Sequence, residues 1–187
     1  NHHHAQLLER VMVTGSATWR THTLEVATFN GDEPESVTDW PNSGRAFDSW
    51  SSRLTLRPRP SLEVAGSVAR VKSPEFAAGF GLDQRKEAAN VRYAAAGPWR
   101  YGLIEFARTR EYLNGSAAFA FTTWLAEGTF EPSPRLSISG RLERTTRPEE
   151  ERDGSIFRTI RPHHDFNTLG RTRWTIVTLA ASGASAG

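Results

Sequence analysis

Apolar and polar residues alternate with a period of two along most of this chain, which predicts β-strands. In the clearest stretch, residues 136–143, Leu, Ile and Gly alternate with Ser, Arg and Glu. Successive side chains of a strand point to opposite sides, so each such stretch has one apolar or small face and one mostly polar face. Nine strands are predicted, at about residues 11–20, 24–28, 50–57, 62–68, 86–95, 99–108, 123–130, 136–143 and 171–181.

Two of the stretches carry more specific predictions about facing. In the sixth, the alternation changes phase at Leu103 and Ile104, so we predict a β-bulge there. A bulge inserts one extra residue and reverses the facing of everything after it. In the ninth, Trp174, Ile176 and Thr178 are predicted to share the apolar face.

The connections between the stretches alternate in length. Short corners are predicted at residues 20–21, 57–60, 96–98 and 131–134, and long polar connections at 30–45, 72–83, 109–115 and 145–170. Outer-membrane β-barrels have short periplasmic turns and long extracellular loops. The pattern therefore predicts an all-β fold, an antiparallel up-and-down (meander) transmembrane β-barrel with about nine strands visible.

Composition agrees with this prediction. Hydrophobic residues make up 37% of the 187 residues, while aromatic residues reach 10% and include six Trp. A barrel with a thin apolar band outside and a polar interior has this balance. The longest apolar run is about five residues, far short of the roughly twenty that a membrane-spanning helix needs. If the chain crosses a membrane, only a closed barrel satisfies its backbone.

A soluble β-sandwich or lipocalin-like binding module is the alternative fold. In that fold the charged face is the solvated exterior and the apolar face is the core. Glycine interrupts the apolar face at Gly15, Gly66, Gly128 and Gly140, which favours lipid contact because a glycine leaves a gap in a packed core. Measuring how the chain partitions between detergent micelles and buffer distinguishes the membrane barrel from the soluble fold.

Charge and cysteine content exclude several partners. The 23 basic and 21 acidic residues nearly cancel, leaving a net charge of +2. The sequence has no basic stripe with interleaved aromatics, so no nucleic-acid partner is predicted. Because the chain has no cysteine, disulfides and thiolate metal sites are excluded.

Several short motifs, taken in order, resemble one family. They are residues 29–34 (Phe-Asn-Gly-Asp-Glu-Pro), 45–54 (Arg-Ala-Phe-Asp-Ser-Trp-Ser-Ser-Arg-Leu), 72–75 (Lys-Ser-Pro-Glu) and 140–144 (Gly-Arg-Leu-Glu-Arg). Together they are similar to uncharacterised porin-like outer-membrane proteins of Gram-negative bacteria, over about residues 2–181.

The resemblance implies location in the bacterial outer membrane, with membrane lipid as a partner. It also implies more than nine strands, so residues 1–187 are expected to be a single β-barrel domain that is a fragment of a longer barrel. It implies that the histidines at positions 2–4 are native residues and not part of a purification tag. The family has no established substrate, so the resemblance implies none for this chain. The oligomeric state stays open.

Charged residues at mid-strand positions of the polar face are the predicted lining of the barrel lumen. Since both signs occur, ion pairs between neighbouring strands and weak ion selectivity are expected. The predicted activity is passive passage or binding of small polar solutes without chemistry. The residues are Arg53, Glu63, Arg92, Glu127, Arg141 and Glu143.

Histidines offer the candidate metal ligands. Imidazole favours Zn²⁺, Ni²⁺ and Cu²⁺, and the candidates are His2, His3, His4, His163 and His164. The plainer interpretation is solvated loop residues, or a tag remnant for the first three, and no cofactor is predicted. An outer-membrane hydrolase using His164 and Asp165 is a further alternative. Recognised hydrolase and phosphate-loop motifs are absent from the sequence, so no enzyme is predicted.

Overall fold

The computed structural model describes residues 11–32, 43–74, 79–150 and 168–183. Nine antiparallel strands form one sheet, and their order in the sheet is their order in the chain. This confirms the predicted all-β meander. The strands are β1 (Met12–Trp19), β2 (His22–Phe29), β3 (Ser49–Arg59), β4 (Leu62–Val71), β5 (Asp83–Ala94), β6 (Trp99–Leu113), β7 (Ser116–Ser133), β8 (Leu136–Glu150) and β9 (Thr168–Gly183).

The sheet is open where it is described. Each strand pairs with its neighbours in sequence, and β1 and β9 form the two edges. Apart from the strands, the described residues include one short 3₁₀ turn at Ser43–Arg45. No helix in the described part of the chain is long and apolar enough to cross a membrane.

The connection between β6 and β7 differs from the prediction of a long loop at residues 109–115. The two strands continue to Leu113 and Ser116, which pair directly around a two-residue turn. Asn114 and Gly115 have φ of 50° and 82° in that turn. Positive φ at both central residues defines the type I′ hairpin turn, for which Asn-Gly is a favoured sequence. The charged residues before the turn belong to a strand, and the predicted strict alternation of short and long connections is wrong here.

Pairing in register gives the sheet two distinct faces. Leu24 lies opposite Leu54, and Leu54 lies opposite Gly66. We call the side of the sheet that carries these residues the apolar face, and the side that carries Arg53 the polar face. The predicted alternation within β1–β5, β7 and β8 places side chains on these two faces as expected.

Two predictions about facing are wrong. The pairing of β5 with β6 is continuous through Leu103 and Ile104, and the extra residue lies at Arg100 instead, between the pairs formed by Trp99 and Tyr101 with β7. An irregularity at the start of β6 lets Trp99 and Ile104 share a face. In β9, pairing with Arg141 and Glu143 places Trp174, Ile176 and Thr178 on the polar face.

Burial differs between the two faces. Strand residues that are buried all belong to the polar face; they are Phe29, Ser49, Thr55, Ala65, Val71, Gln84 and Thr145. The apolar face instead carries exposed large side chains, including Trp124 at 55%, Val177 at 66% and Leu179 at 79% exposure. In the described part of the chain no second sheet covers either face, so the burial of side chains on the polar face must come from the sheet itself. We infer that the sheet curves, with the polar face on its concave side, where neighbouring side chains approach one another.

Large apolar residues on the apolar face form a band that runs obliquely across the sheet. On the loop side the band ends at Trp50 in β3 and at Trp124 in β7. The row of directly paired residues that starts at Trp50 meets β7 at Ala120, four residues before Trp124. On the side of the short turns the band ends at Trp19 in β1 and at Phe130 in β7. The row of directly paired residues that starts at Trp19 meets β7 at Ala126, four residues before Phe130, so this limit slopes in the same direction.

Candidate functional site

The six charged residues predicted from the sequence all lie on the polar face. Four of them, Glu63, Arg92, Glu127 and Arg141, occupy one row of directly paired residues across β4–β8, with Leu103 between the two acid–base pairs. Arg53 and Glu143 lie on the loop side of this row. The sheet therefore arranges two acids and two bases in a line across five strands. We call these four residues, together with their ion-pair partners Arg57 and Glu143, the charged row.

At one end of the charged row, Glu63 is held by two arginines. Its Oε2 atom accepts from Arg57 Nε at 3.0 Å and from an Arg92 terminal nitrogen at 3.3 Å. Arg57 also donates to the Thr23 hydroxyl at 3.4 Å. The Glu63 side chain is 15% exposed, whereas Arg92 is 49% exposed. One carboxylate thus compensates two guanidinium groups that remain open to the concave side.

At the other end the signs are reversed. Arg141 lies 2.9 Å from Glu143 and 3.7 Å from Glu127. The Tyr101 hydroxyl donates to Glu127 at 2.9 Å. One guanidinium therefore compensates two carboxylates, so the two ends of the charged row are electrostatic mirror images.

Arg53 belongs to a looser pair nearer the loops. It lies 3.9 Å from Glu25 and donates to the Thr55 hydroxyl at 3.4 Å. Both charged side chains line a concavity of about 650 Å³ that extends over β1–β6, between small residues such as Ser67 and Ala88. Small residues leave room on this face, and the charges provide hydration sites. The arrangement suits hydrophilic solutes and water.

A second polar cluster joins the β2–β3 and β4–β5 connections at the loop end of the sheet. Arg45 forms an ion pair with Asp48 at 2.9 Å and donates to the Ser73 carbonyl at 3.1 Å and to the Lys72 carbonyl. The Ser49 hydroxyl donates to Asp48 at 2.8 Å and accepts from the Lys72 backbone N–H at 2.9 Å. We call this set of contacts the loop clasp.

The loop clasp was missed by sequence reasoning. All its members except Ser49, the first residue of β3, lie in polar connections, where a residue such as Arg45 or Asp48 gives no sign of burial. The structure instead makes the neighbouring Ser73 and Leu82 among the most buried residues described. Asn30 and Gly31 next to a strand end were the available signal, because such pairs mark structured turns. The clasp links the described parts of the two connections at the loop end of the sheet.

Gly31 allows the two connections to approach closely. Its N–H donates to Asp48 Oδ1 at 2.8 Å, and a Cβ atom there would lie 2.5 Å from Ser49 Oγ and 2.9 Å from Asp48 Oδ1. We expect Gly31→Ala to lower the free energy of unfolding by about 1–3 kcal/mol, as for other overpacked sites. Chemical denaturation of the folded chain measures the change.

Gly15→Ala is the matched control for this prediction. The nearest atom to a Cβ at Gly15 is Val26 Cγ2 at 3.9 Å, an ordinary contact. Its expected change is within about 0.5 kcal/mol, as for a surface substitution. If both variants have the same stability, the clasp is not a tightly packed unit.

The predicted metal ligands, His2, His3, His4, His163 and His164, lie outside the described residues, as does Asp165 of the hydrolase alternative. Within the described ranges, no group of three or more His, Cys, Asp or Glu residues could hold a metal ion.

The fold and its site define an all-β meander with one charged and one exposed apolar face. Comparisons with protein-family models, with curated proteins and with solved structures each give no match for the chain.

Proposed function

We propose that these nine strands belong to a porin-like outer-membrane β-barrel, through whose polar lumen small hydrophilic solutes pass passively. The polar face is the lumen wall in this proposal, and the apolar face contacts lipid. A closed barrel requires that the open edges β1 and β9 also be paired. The solutes pass without chemical change.

The apolar band is the observation that carries the proposal. Side chains such as Trp124, Leu142 and Val177 are half to two-thirds exposed on one continuous surface. Soluble monomers rarely expose large contiguous apolar patches. Hydrocarbon covers such a surface around a membrane barrel, and it also fills the gaps that glycines leave, as at Gly66, where the nearest atom to an added Cβ is a backbone oxygen 3.9 Å away.

The slope of the band gives independent support. An offset of four residues between Trp50 in β3 and Trp124 in β7 accumulates over four strand spacings. With a rise of about 3.3 Å per residue and a spacing of about 4.8 Å between strands, this corresponds to a tilt of about 35°. The opposite limit, four residues over the six spacings from Trp19 to Phe130, corresponds to about 25° in the same direction. Strands of outer-membrane barrels tilt by about 35–45° from the membrane normal, a range that the loop-side limit reaches. A flat membrane boundary crosses such strands obliquely, as the band does.

The charged row supports a weakly selective passage. Glu63 and Arg141 each compensate two side chains of opposite sign, so acids and bases balance along the row. A ring of one sign selects for counter-ions, whereas a balanced ring favours neither. We therefore expect hydrophilic solutes of either sign to pass.

Planar-bilayer recording of the full-length protein tests the proposal. We expect stepwise conductance with a cation-to-anion permeability ratio near one, because neither sign dominates the row. Stable insertion without any conducting step would overturn passage and leave a plugged or structural barrel.

Partition between detergent micelles and buffer tests the membrane assignment separately. We expect the folded chain in the micelle fraction. A folded chain that stays monomeric in detergent-free buffer at high concentration would overturn the proposal in favour of a soluble β-sandwich or lipocalin-like module, because the apolar band must then be covered by protein.

A further inference from the structure

Arginines concentrate on the apolar face just beyond the loop-side limit of the band. That limit is marked in β6 and β7 by Phe106 and Trp124, whose ring centroids lie 4.6 Å apart. On the loop side of this pair, β5 and β6 carry Arg85, Arg108 and Arg110 around a single acid, Glu87. We call these four residues the arginine cluster.

The contacts within the cluster leave positive charge in excess. Two nitrogen–oxygen distances of 3.1 and 2.9 Å join Arg110 to both oxygens of Glu87. Arg85 Nε lies 2.8 Å from Glu87 Oε1. Arg108 is the cross-strand partner of Glu87. One carboxylate therefore faces three guanidinium groups, which leaves a net charge of +2.

Some donors of the cluster are unused. The Nε atoms of Arg108 and Arg110 are buried and have no hydrogen-bond partner in the part of the chain that the structure describes. A buried donor without a partner costs free energy, and the cost is greater for a charged group. An acceptor with several oxygens and negative charge would satisfy both donors.

We propose that the arginine cluster binds the phosphate group of an anionic lipid whose acyl chains lie along the apolar band. This inference rests on the proposed function. Guanidinium groups match phosphate oxygens in geometry and charge. The Phe106–Trp124 pair lies between the cluster and the rest of the band, at the level where aromatic side chains meet lipid headgroups. The site thus offers charge for the headgroup and an apolar surface for the chains of one molecule.

Native mass spectrometry of the full chain in neutral detergent micelles tests the inference. Phosphatidic acid is titrated against diacylglycerol with the same acyl chains, which differs only in lacking the phosphate. We expect phosphatidic acid to bind at least about tenfold more tightly, the effect of one charge-assisted hydrogen bond of about 1.5 kcal/mol. Inorganic phosphate in tenfold excess is expected to leave the lipid bound, because it has no acyl chains.

Arg108→Gln is the variant of choice, because no ion pair to Arg108 is described within hydrogen-bonding distance and its loss spares the Glu87 pairs. We expect this variant to bind phosphatidic acid about tenfold more weakly and diacylglycerol unchanged. Arg135→Gln, in the turn before β8 at the opposite end of the sheet, is the matched control with the same loss of charge.

The outcomes separate the inference from the proposed function. Equal affinity for the two lipids, equal affinity of Arg108→Gln and Arg135→Gln, or displacement by inorganic phosphate would each overturn the lipid site while leaving the barrel intact. A chain that does not enter micelles at all would overturn the barrel and, with it, the lipid site.

Discussion

Replacing Ala126 by arginine is expected to lower the free energy of unfolding from lipid bilayers by about 2–4 kcal/mol. Ala126 is an exposed residue of β7 near the middle of the apolar band, between Trp124 and Phe130 along the strand. Its direct partners on the neighbouring strands are Ile104 and Leu142. In the proposed barrel this position faces the bilayer core, where a guanidinium cannot be hydrated.

Ala88→Arg is the matched control, since it makes the same substitution on the opposite face. Ala88 lines the concavity of about 650 Å³ on the polar face, where its direct partners are Ser67 and Ala107. An arginine there reaches water, so the expected change is within about 1 kcal/mol. Urea unfolding from lipid vesicles measures both variants. Equal losses would mean that the apolar face does not lie in hydrocarbon, which contradicts the proposed orientation.

Much of the fold was predictable because strand alternation is a local property. The stretch at residues 136–143 specifies a strand and its two faces without reference to any other part of the chain. Three predictions were wrong. Two of them, the facing in β6 and in β9, depend on pairing with a neighbouring strand, whereas the third concerns the β6–β7 turn, whose Asn-Gly signal is itself local. The irregularity at Arg100 depends on how β6 pairs with β7. The residues before Asn114 resemble a loop by charge, although the Asn-Gly pair specifies a hairpin turn.

The candidate site was predictable in its members but not in its arrangement. That Glu63 and Arg141 share a face follows from strand parity, and the register that puts them in one row is fixed by the turns and loops between them. The loop clasp was not predictable, since burial of Arg45 needs contacts between two separate connections. The lumen and the membrane location stay predictions.

Glu63→Gln is expected to shift the conductance toward anions by about fivefold in permeability ratio. Glu63 accepts from Arg57 at 3.0 Å and Arg92 at 3.3 Å, so the neutral side chain leaves two guanidinium groups uncompensated. Two unit charges about 4 Å apart interact by about 1 kcal/mol in water, which is about fivefold in an equilibrium constant. Reversal-potential measurements in a salt gradient give the ratio. Because salt screens exposed charges, the shift is expected to shrink between 0.1 M and 1 M salt, on the scale of the Debye length.

Arg141→Gln is the opposing experiment, because it leaves Glu127 and Glu143 without their shared guanidinium. Its expected shift is of similar size and toward cations, and the double variant with Glu63→Gln is expected to return near the original ratio. Loss of structure would move both single variants in the same direction, so opposite signs are the outcome that only a charged lumen wall produces. Two single variants that leave the ratio unchanged, in a protein that still conducts, would place the charged row outside the path of the ions. The polar face would then be no lumen wall, whatever the apolar face contacts.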